Sequence, residues 1–370
     1  METGVSYFGS RDPRHVRTDL ADMLAHHCTY VVHCLTETDL AYNMAGMGEI
    51  AKLTRDAGLD VWFDPWGVTG IFSGESFSQF LLEHPESWQL RSDGRNIPIA
   101  CPNDPEARRF LRGWITRAAE LGGSVAFWDE PHFWVDWLGL AEGWTCLCPL
   151  CRDAFRERFR SQMPLVFTEE VRRFREETLL SLLAELCRTA HRAGMRNALC
   201  LAPSDIAQAG FVEAELRMLD QINRRRRAHE APALETLPLT LRFFGVQDWQ
   251  SAASLPDLDI FGCDPYWYLF HAEPEPFVRA YADRTLRAAR TAADVHNKRL
   301  GTQVWFQAFN VPAGREPELW TGIRTAARLG VSHVACWSYG GNASMSYNRP
   351  DRPHEVWRVI GDAYRAVARR

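Results

Sequence analysis

The sequence predicts an α/β fold, a (β/α)8 TIM barrel with long loops after strands three and four. Three observations carry this. Eight short apolar runs rich in β-branched and aromatic residues recur along the 370 residues, each closing on polar, Gly or Pro residues. Stretches of helical periodicity lie between them, and strands alternating with helices favour a parallel, closed sheet at this chain length. No G-x-G-x-x-G motif follows the first run, which removes the main support for an open dinucleotide-binding sheet.

"GVSYFGS" (4–10), "TYVVHCL" (29–35) and "LDVWFDPW" (59–66) predict the first three strands, with the amphipathic "HVRTDLADMLAHH" and "GEIAKLTRDAGL" between them. The stretch 66–101 is too long and too rich in Gly, Ser and aromatics for a plain turn, so it is expected to cover one end of the barrel. With the helix "PEARRFLRGWITRAAELG" it forms a first excursion over 66–122. "SVAFWDEP" (124–131) predicts strand four, and a second excursion covers 131–170. "LLSLLAELCRTAHRAGM" then leads into "NALCLAPS" (197–204), strand five.

"LDIFGCDPYW" (258–267), "GTQVWFQAF" (301–309) and "SHVACWSYGG" (332–341) predict strands six to eight, and "PHEVWRVIGDAYRAVARR" the closing helix. Gly in "RDAGL", "AELGG", "HRAGM" and "ARLGV" marks left-handed helix ends. A ninth run, "LPLTLRFFG" (237–245), is either an excursion before strand six or a sign that strand five is misplaced. No linker sets off a second domain, so 1–370 reads as a single barrel domain.

Hydrophobic residues at 46% and charged residues at 24% are those of a globular protein. A net charge of −5 and a pI near 6.2 exclude a nucleic-acid platform, which needs a basic face. The basic run Arg224 to Arg227 reads as a solvated helix end. No apolar run reaches the ~20 residues of a membrane helix, and the N-terminus lacks a signal core, so a cytoplasmic protein without a membrane partner is expected. Homo-oligomerisation stays open.

Active sites of such barrels lie at the C-terminal ends of the strands. There the sequence offers His33, Asp64 with Trp66, Trp128 with Asp129 and Glu130, Asp205, Asp264 with Tyr266 and Trp267, Gln307, and Trp337 with Tyr339. An acidic, aromatic end suits a carbohydrate: rings cover the apolar face of a pyranose, and carboxylates bind hydroxyls and move protons. Hydrolysis needs two carboxyls, ~5 Å apart for a covalent intermediate or ~6.5 to 9.5 Å when a water must fit. Asp64 and Asp264 each precede Pro, where an Asp commonly only opens a turn. Asp129 and Glu130 end an apolar strand among Trp128, His132, Phe133 and Trp134, a setting that favours function over solvation.

Ten cysteines in a cytoplasmic chain point to buried thiols or metal ligands rather than disulfides. Six stand singly in apolar context. Cys146, Cys148 and Cys151 form C-x-C-x-x-C, and Cys101 supplies a fourth thiolate, the set for a closed structural zinc site. A redox pair and free thiols are the alternatives; no organic cofactor is expected.

This arrangement resembles the family 42 β-galactosidases and their clan of (β/α)8 glycoside hydrolases. In that family a distant Cys joins a C-x-C-x-x-C cluster to bind zinc after strand four, as Cys101, Cys146, Cys148 and Cys151 would here. The resemblance implies that Glu130, at the end of strand four, is the general acid/base, with Asp129 where the clan typically has Asn. The clan's nucleophilic Glu at the end of strand seven is absent, and Gln307 stands there.

The expected activity is hydrolysis of a small glycoside or oligosaccharide. Glu130 would protonate the leaving oxygen, Asp264 would activate water or, less favoured, attack the sugar, and Asp64 is the second choice for that part. Glu316 is a further candidate. Trp66, Trp128, Trp267, Trp337, Tyr266 and His132 would line the sugar site, with Asp129 and Gln307 binding hydroxyls. The alternatives are a barrel isomerase or lyase, with a divalent metal held by Asp, Glu and His33 or His132, and a non-catalytic carbohydrate-binding barrel.

Overall fold

Side-chain alternation along each strand explains how the chain closes. The computed structural model describes residues 1–368 apart from Leu138 and Glu142. Its strands are β1 (Glu2–Tyr7), β2 (Tyr30–Cys34), β3 (Asp60–Asp64), β4 (Trp88–Leu90), β5 (Asn96–Ala100), β6 (Val125–Asp129), β7 (Arg196–Leu201), β8 (Ile260–Cys263), β9 (Gly301–Gln307) and β10 (His333–Trp337). All except β4 and β5 close a barrel in the order β1-β10-β9-β8-β7-β6-β3-β2. Every barrel pair is parallel, which requires a crossover between successive strands. The expected (β/α)8 barrel is the fold, and each of the eight predicted runs contains most or all of one barrel strand.

The helices are α1 (Pro13–Ala25), α2 (Glu37–Tyr42), α3 (Met44–Asp56), α4 (Gln79–Glu83), α5 (Pro105–Glu120), α6 (Pro149–Phe159) and α7 (Glu169–Arg192). They continue with α8 (Val212–Ala228), α9 (Leu239–Arg242), α10 (Trp249–Ala253), α11 (Pro274–His296), α12 (Pro317–Leu329) and α13 (Pro353–Ala368). Local chemistry sets their ends. Asp12 and Asp104 accept from the first-turn N–H groups of α1 and α5, each ahead of a Pro whose missing N–H costs nothing there. Gly58, Gly122, Gly194 and Gly330 take φ values of 82° to 88° just beyond α3, α5, α7 and α12, as their sequence positions predict.

Two cores result. Inward residues such as Tyr30, Val32, Trp62, Val125, Phe127, Ile260 and Trp305 fill the barrel, while Val31, Val61, Phe63, Leu199, Phe261 and Phe306 pack beneath the helices. The run 237–245 is no strand: it holds the short α9 in an excursion between β7 and β8. The chain forms the short α9 and α10 there and pairs with no strand, so the fifth strand stands where it was expected. Among the described residues, no helix is long and apolar enough to cross a membrane.

Candidate functional site

Parity along β6 decides what faces the mouth. Val125 and Phe127 point into the barrel, so Asp129 does too, while Ala126 and Trp128 pack outward. Glu130 should then face away, but its φ of 40° breaks the alternation. A left-handed non-glycine residue costs about 1 to 3 kcal/mol and persists where its surroundings fix it. Here the Glu130 N–H donates to the Cys200 carbonyl at 3.1 Å, and His132 Nδ1 to the Glu130 carbonyl at 2.6 Å. Two successive carboxyls therefore reach the same space.

Asp64 ends β3 on the inward parity of Trp62, and Asp264 follows β8 on that of Ile260. With Asp129 and Glu130 they form an acidic cluster. Burial raises the carboxyls of Asp64, Asp129 and Asp264 well above their ordinary range, and repulsion from their acidic neighbours adds to it. The Glu130 and Asp264 carboxyls lie within hydrogen-bonding reach of each other, a contact that needs a proton on one of them. Counted as carboxylates, Asp64 Oδ1 and Asp264 Oδ1 have no donor, which also favours the protonated form.

The loop after β3 supplies two residues that the strand-end reading missed. Ser73 Oγ donates to Glu130 Oε2, and its N–H donates to the Asp129 carbonyl at 3.1 Å. Glu75, on the exposed part of that loop, accepts from Asn348 Nδ2 at 3.0 Å. The available signal was "SGES" (73–76), a polar run inside a loop expected to cover this end.

Trp66, Tyr266, Gln307 and Trp337 sit at the mouth. Trp66 stacks on Phe8 at 5.0 Å, and Trp337 lies 5.7 Å from Phe8 and 6.5 Å from Trp66. Gln307 is held at both ends, accepting from the Leu269 N–H at 3.1 Å and donating to the Phe309 carbonyl at 3.0 Å. A cavity of about 300 Å³ opens beside Glu130, Asp264, Tyr266 and Gln307.

Other expected residues lie elsewhere. Trp128 is fully buried on the outer face of β6, where Nε1 donates to Asn197 Oδ1 at 3.0 Å, so it cannot line a sugar site. Trp267 is likewise fully buried, packed on Phe306 and donating to Glu318 Oε2 at 2.9 Å. The turn opened by Pro265 carries it past the mouth. His132 turns its ring onto Phe244 at 4.8 Å, and burial lowers its pKa. His33, on the outward parity of β2, bonds Thr54 Oγ1 at 3.0 Å, and its pKa falls to about 3 through burial and then the Arg11 charge. Asp205 pairs with Arg284, Tyr339 donates to Asp19, and Glu316 is held by Arg352 Nε and Nη2, each at 2.7 Å.

Cys101, Cys146, Cys148 and Cys151 are buried with their sulfurs all within 4.8 Å of one another, a group that fits a metal ion. Cys101 Sγ is 3.4 Å from Cys151 and 3.5 Å from Cys148. Thiolates around zinc at about 2.3 Å would stand about 3.8 Å apart, so small shifts suffice. The N–H groups of Leu90 and Asn103 donate to Cys146 and Cys101, each at 3.4 Å, as donors around metal-bound thiolates do. The cluster joins the end of the β4–β5 hairpin to the start of α6. Gln89 continues that tie, accepting from the Trp134 N–H at 3.0 Å and donating to the Ala100 carbonyl at 3.0 Å.

No family model matches the sequence, and no curated protein matches it. The chain is similar to the solved β-galactosidase from Bacillus circulans sp. alkalophilus, with a TM-score of 0.63 at 12% identity. The match covers 100% of this chain and 56% of that one, so this chain spans just over half that enzyme's length. It is also similar to the endo-1,4-β-mannanase from Rhizomucor miehei, with a TM-score of 0.58 at 10% identity over 100% and 95% of the two chains. The PgaB (BpsB) glycoside hydrolase domain from Bordetella bronchiseptica gives 0.56 at 13% identity over 97% and 99%. At these identities the likeness is one of fold.

Proposed function

We propose that the protein is a glycoside hydrolase acting on a small glycoside, with Glu130 and Asp264 as a pair sharing one proton. The observation that carries this is the contact between two carboxyls at the mouth of the barrel. Like charges so close and so buried do not both ionise, so the pair holds an acid and a carboxylate together. Burial favours the proton on Asp264, and the Ser73 hydroxyl donates to Glu130 Oε2. That reverses the roles expected from the sequence: Asp264 protonates the glycosidic oxygen, and Glu130 faces the anomeric carbon. With Glu130 as the nucleophile, the reaction passes through a covalent glycosyl-enzyme and retains the anomeric configuration.

Gln307 does not attack, because an amide is no nucleophile, and both its ends are tied within the protein. Trp66, Trp337, Asp129 and Glu75 hold the sugar, with the fully buried Asp64 beneath them. The four cysteines hold zinc, which fixes the loops around the pair and has no open position for catalysis. The fold neighbours named as hydrolases agree with this reading. An isomerase would hold a divalent ion at the mouth, but among the described residues only the cysteine set brings three or more ligand atoms together.

The test is turnover of a panel of aryl glycosides and oligosaccharides by the wild type, Glu130→Gln and Asp264→Asn. Loss of roughly 10²- to 10⁴-fold in each variant is expected, with retention in the first-formed anomer. Full activity in either variant, or sugar binding without turnover by the wild type, would sink the proposal.

A further inference from the structure

The cavity beside the acid pair has two unlike ends. Glu130 and Asp264 form one. The rest is dominated by carbon: Met218 and Ile222 of α8, Leu237, Leu241 of α9, Phe244, and Leu269 after β8. Five of these six come from the excursion between β7 and β8. Polar side chains line it too: His271 bonds Gln221 at 3.2 Å, Arg225 donates to the Trp137 carbonyl at 3.3 Å and Tyr268 to the Arg315 carbonyl at 2.7 Å, while Tyr266 and Tyr347 add hydroxyls. None of Asp64, Glu75, Trp66, Trp337 or Asn348 lines this cavity, although Glu130 faces Asp64 and Glu75 as well. Glu130 therefore stands between a polar, aromatic compartment and an apolar one.

A proton donor must lie within hydrogen-bonding reach of the atom it protonates. The glycosidic oxygen thus sits at the pair, with the sugar on one side and the leaving group on the other. A second sugar in the apolar compartment would strand its hydroxyls against carbon, an unfavourable exchange for hydration. Resting on the hydrolase reading, we infer that this cavity is a leaving-group subsite for an apolar alcohol or phenol, so that the substrates are alkyl or aryl glycosides rather than oligosaccharides. In the reaction the Glu130 carboxylate bonds to the anomeric carbon as the anomeric C–O bond breaks, and the Asp264 proton passes to the leaving oxygen, releasing the alcohol. Water then displaces Glu130, giving its hydroxyl to the anomeric carbon and its proton back to Asp264.

The test uses methyl, butyl and hexyl glycosides of the sugar that the panel identifies, and hexan-1-ol alone as a probe read by ligand-observed NMR. Burial of a methylene corresponds to about a fourfold gain, so kcat/KM is expected to rise severalfold per added carbon. Leu241→Asn and Met218→Asn, both at half-buried positions, should each abolish that rise and weaken hexanol binding. Chain length without effect on the wild type, or hexanol binding untouched by both variants, would overturn the inference. Hexanol binding with no glycoside turned over would refute the hydrolase reading, and the leaving-group assignment with it.

Discussion

Removing the metal proposed for the cysteine cluster is expected to lower the unfolding midpoint by about 5 °C. Cys101 and Cys148 are 47 positions apart, and a cross-link closing a loop of that length removes about 4 kcal/mol of unfolded-state entropy on the chain-entropy account. An unfolding entropy of about 2.1 cal/mol/K per residue, taken over 370 residues, converts this to about 5 °C. The assay is calorimetry of the purified protein before and after chelation, with metal content measured in both samples. Hydrogen exchange should localise the loosening to the β4–β5 hairpin and the start of α6, and Cys148→Ser should reproduce it. Verified metal-free protein with an unchanged midpoint and unchanged hairpin protection would refute the reasoning, as would purified protein containing no metal at all.

The buried acids give a pH prediction. Burial raises Asp64, so the folded protein keeps a proton there that the unfolded chain releases; the resulting stability is full below about pH 4 and is lost as pH rises through the folded value. Asp64→Asn removes the ionisation and should be more stable than the wild type at pH 8, with the advantage gone at pH 4, as read from urea midpoints. Identical pH dependence in the two proteins would count against it. The tryptophans divide by position: Trp267→Phe should leave KM and kcat unchanged while costing about 1 to 3 kcal/mol through lost packing and the lost hydrogen bond to Glu318, which keeps its pair with Arg315. Trp337→Ala should instead raise KM several-fold, and the reverse pattern in steady-state kinetics would show the two indoles misassigned.

Much of this protein is legible without coordinates. The barrel follows from a repeated local signal, because each strand is a short apolar run and each helix carries its own caps, so eight elements could be placed independently. The cysteine set is equally local, since C-x-C-x-x-C brings three thiols together within one turn and asks only for a fourth. Acids at strand ends could be named because the strands had been placed.

Facing was not legible, because it depends on single dihedrals and on parity. Trp128 and Asp129 are neighbours in sequence yet lie on opposite sides of the sheet, and the φ of Glu130 returns the next side chain to the mouth. A proline turn sends Trp267 outward and leaves Tyr266 at the cavity. Ser73, Glu75 and Asn348 reach the site from loops far apart in the chain, and the apolar wall comes from an excursion whose sequence resembled a strand. Periodicity thus determined the elements and the ligand set, whereas the pairing of Glu130 with Asp264 and the division of the mouth into polar and apolar halves were decided by tertiary structure, because contacts between distant segments leave no periodic trace in the chain.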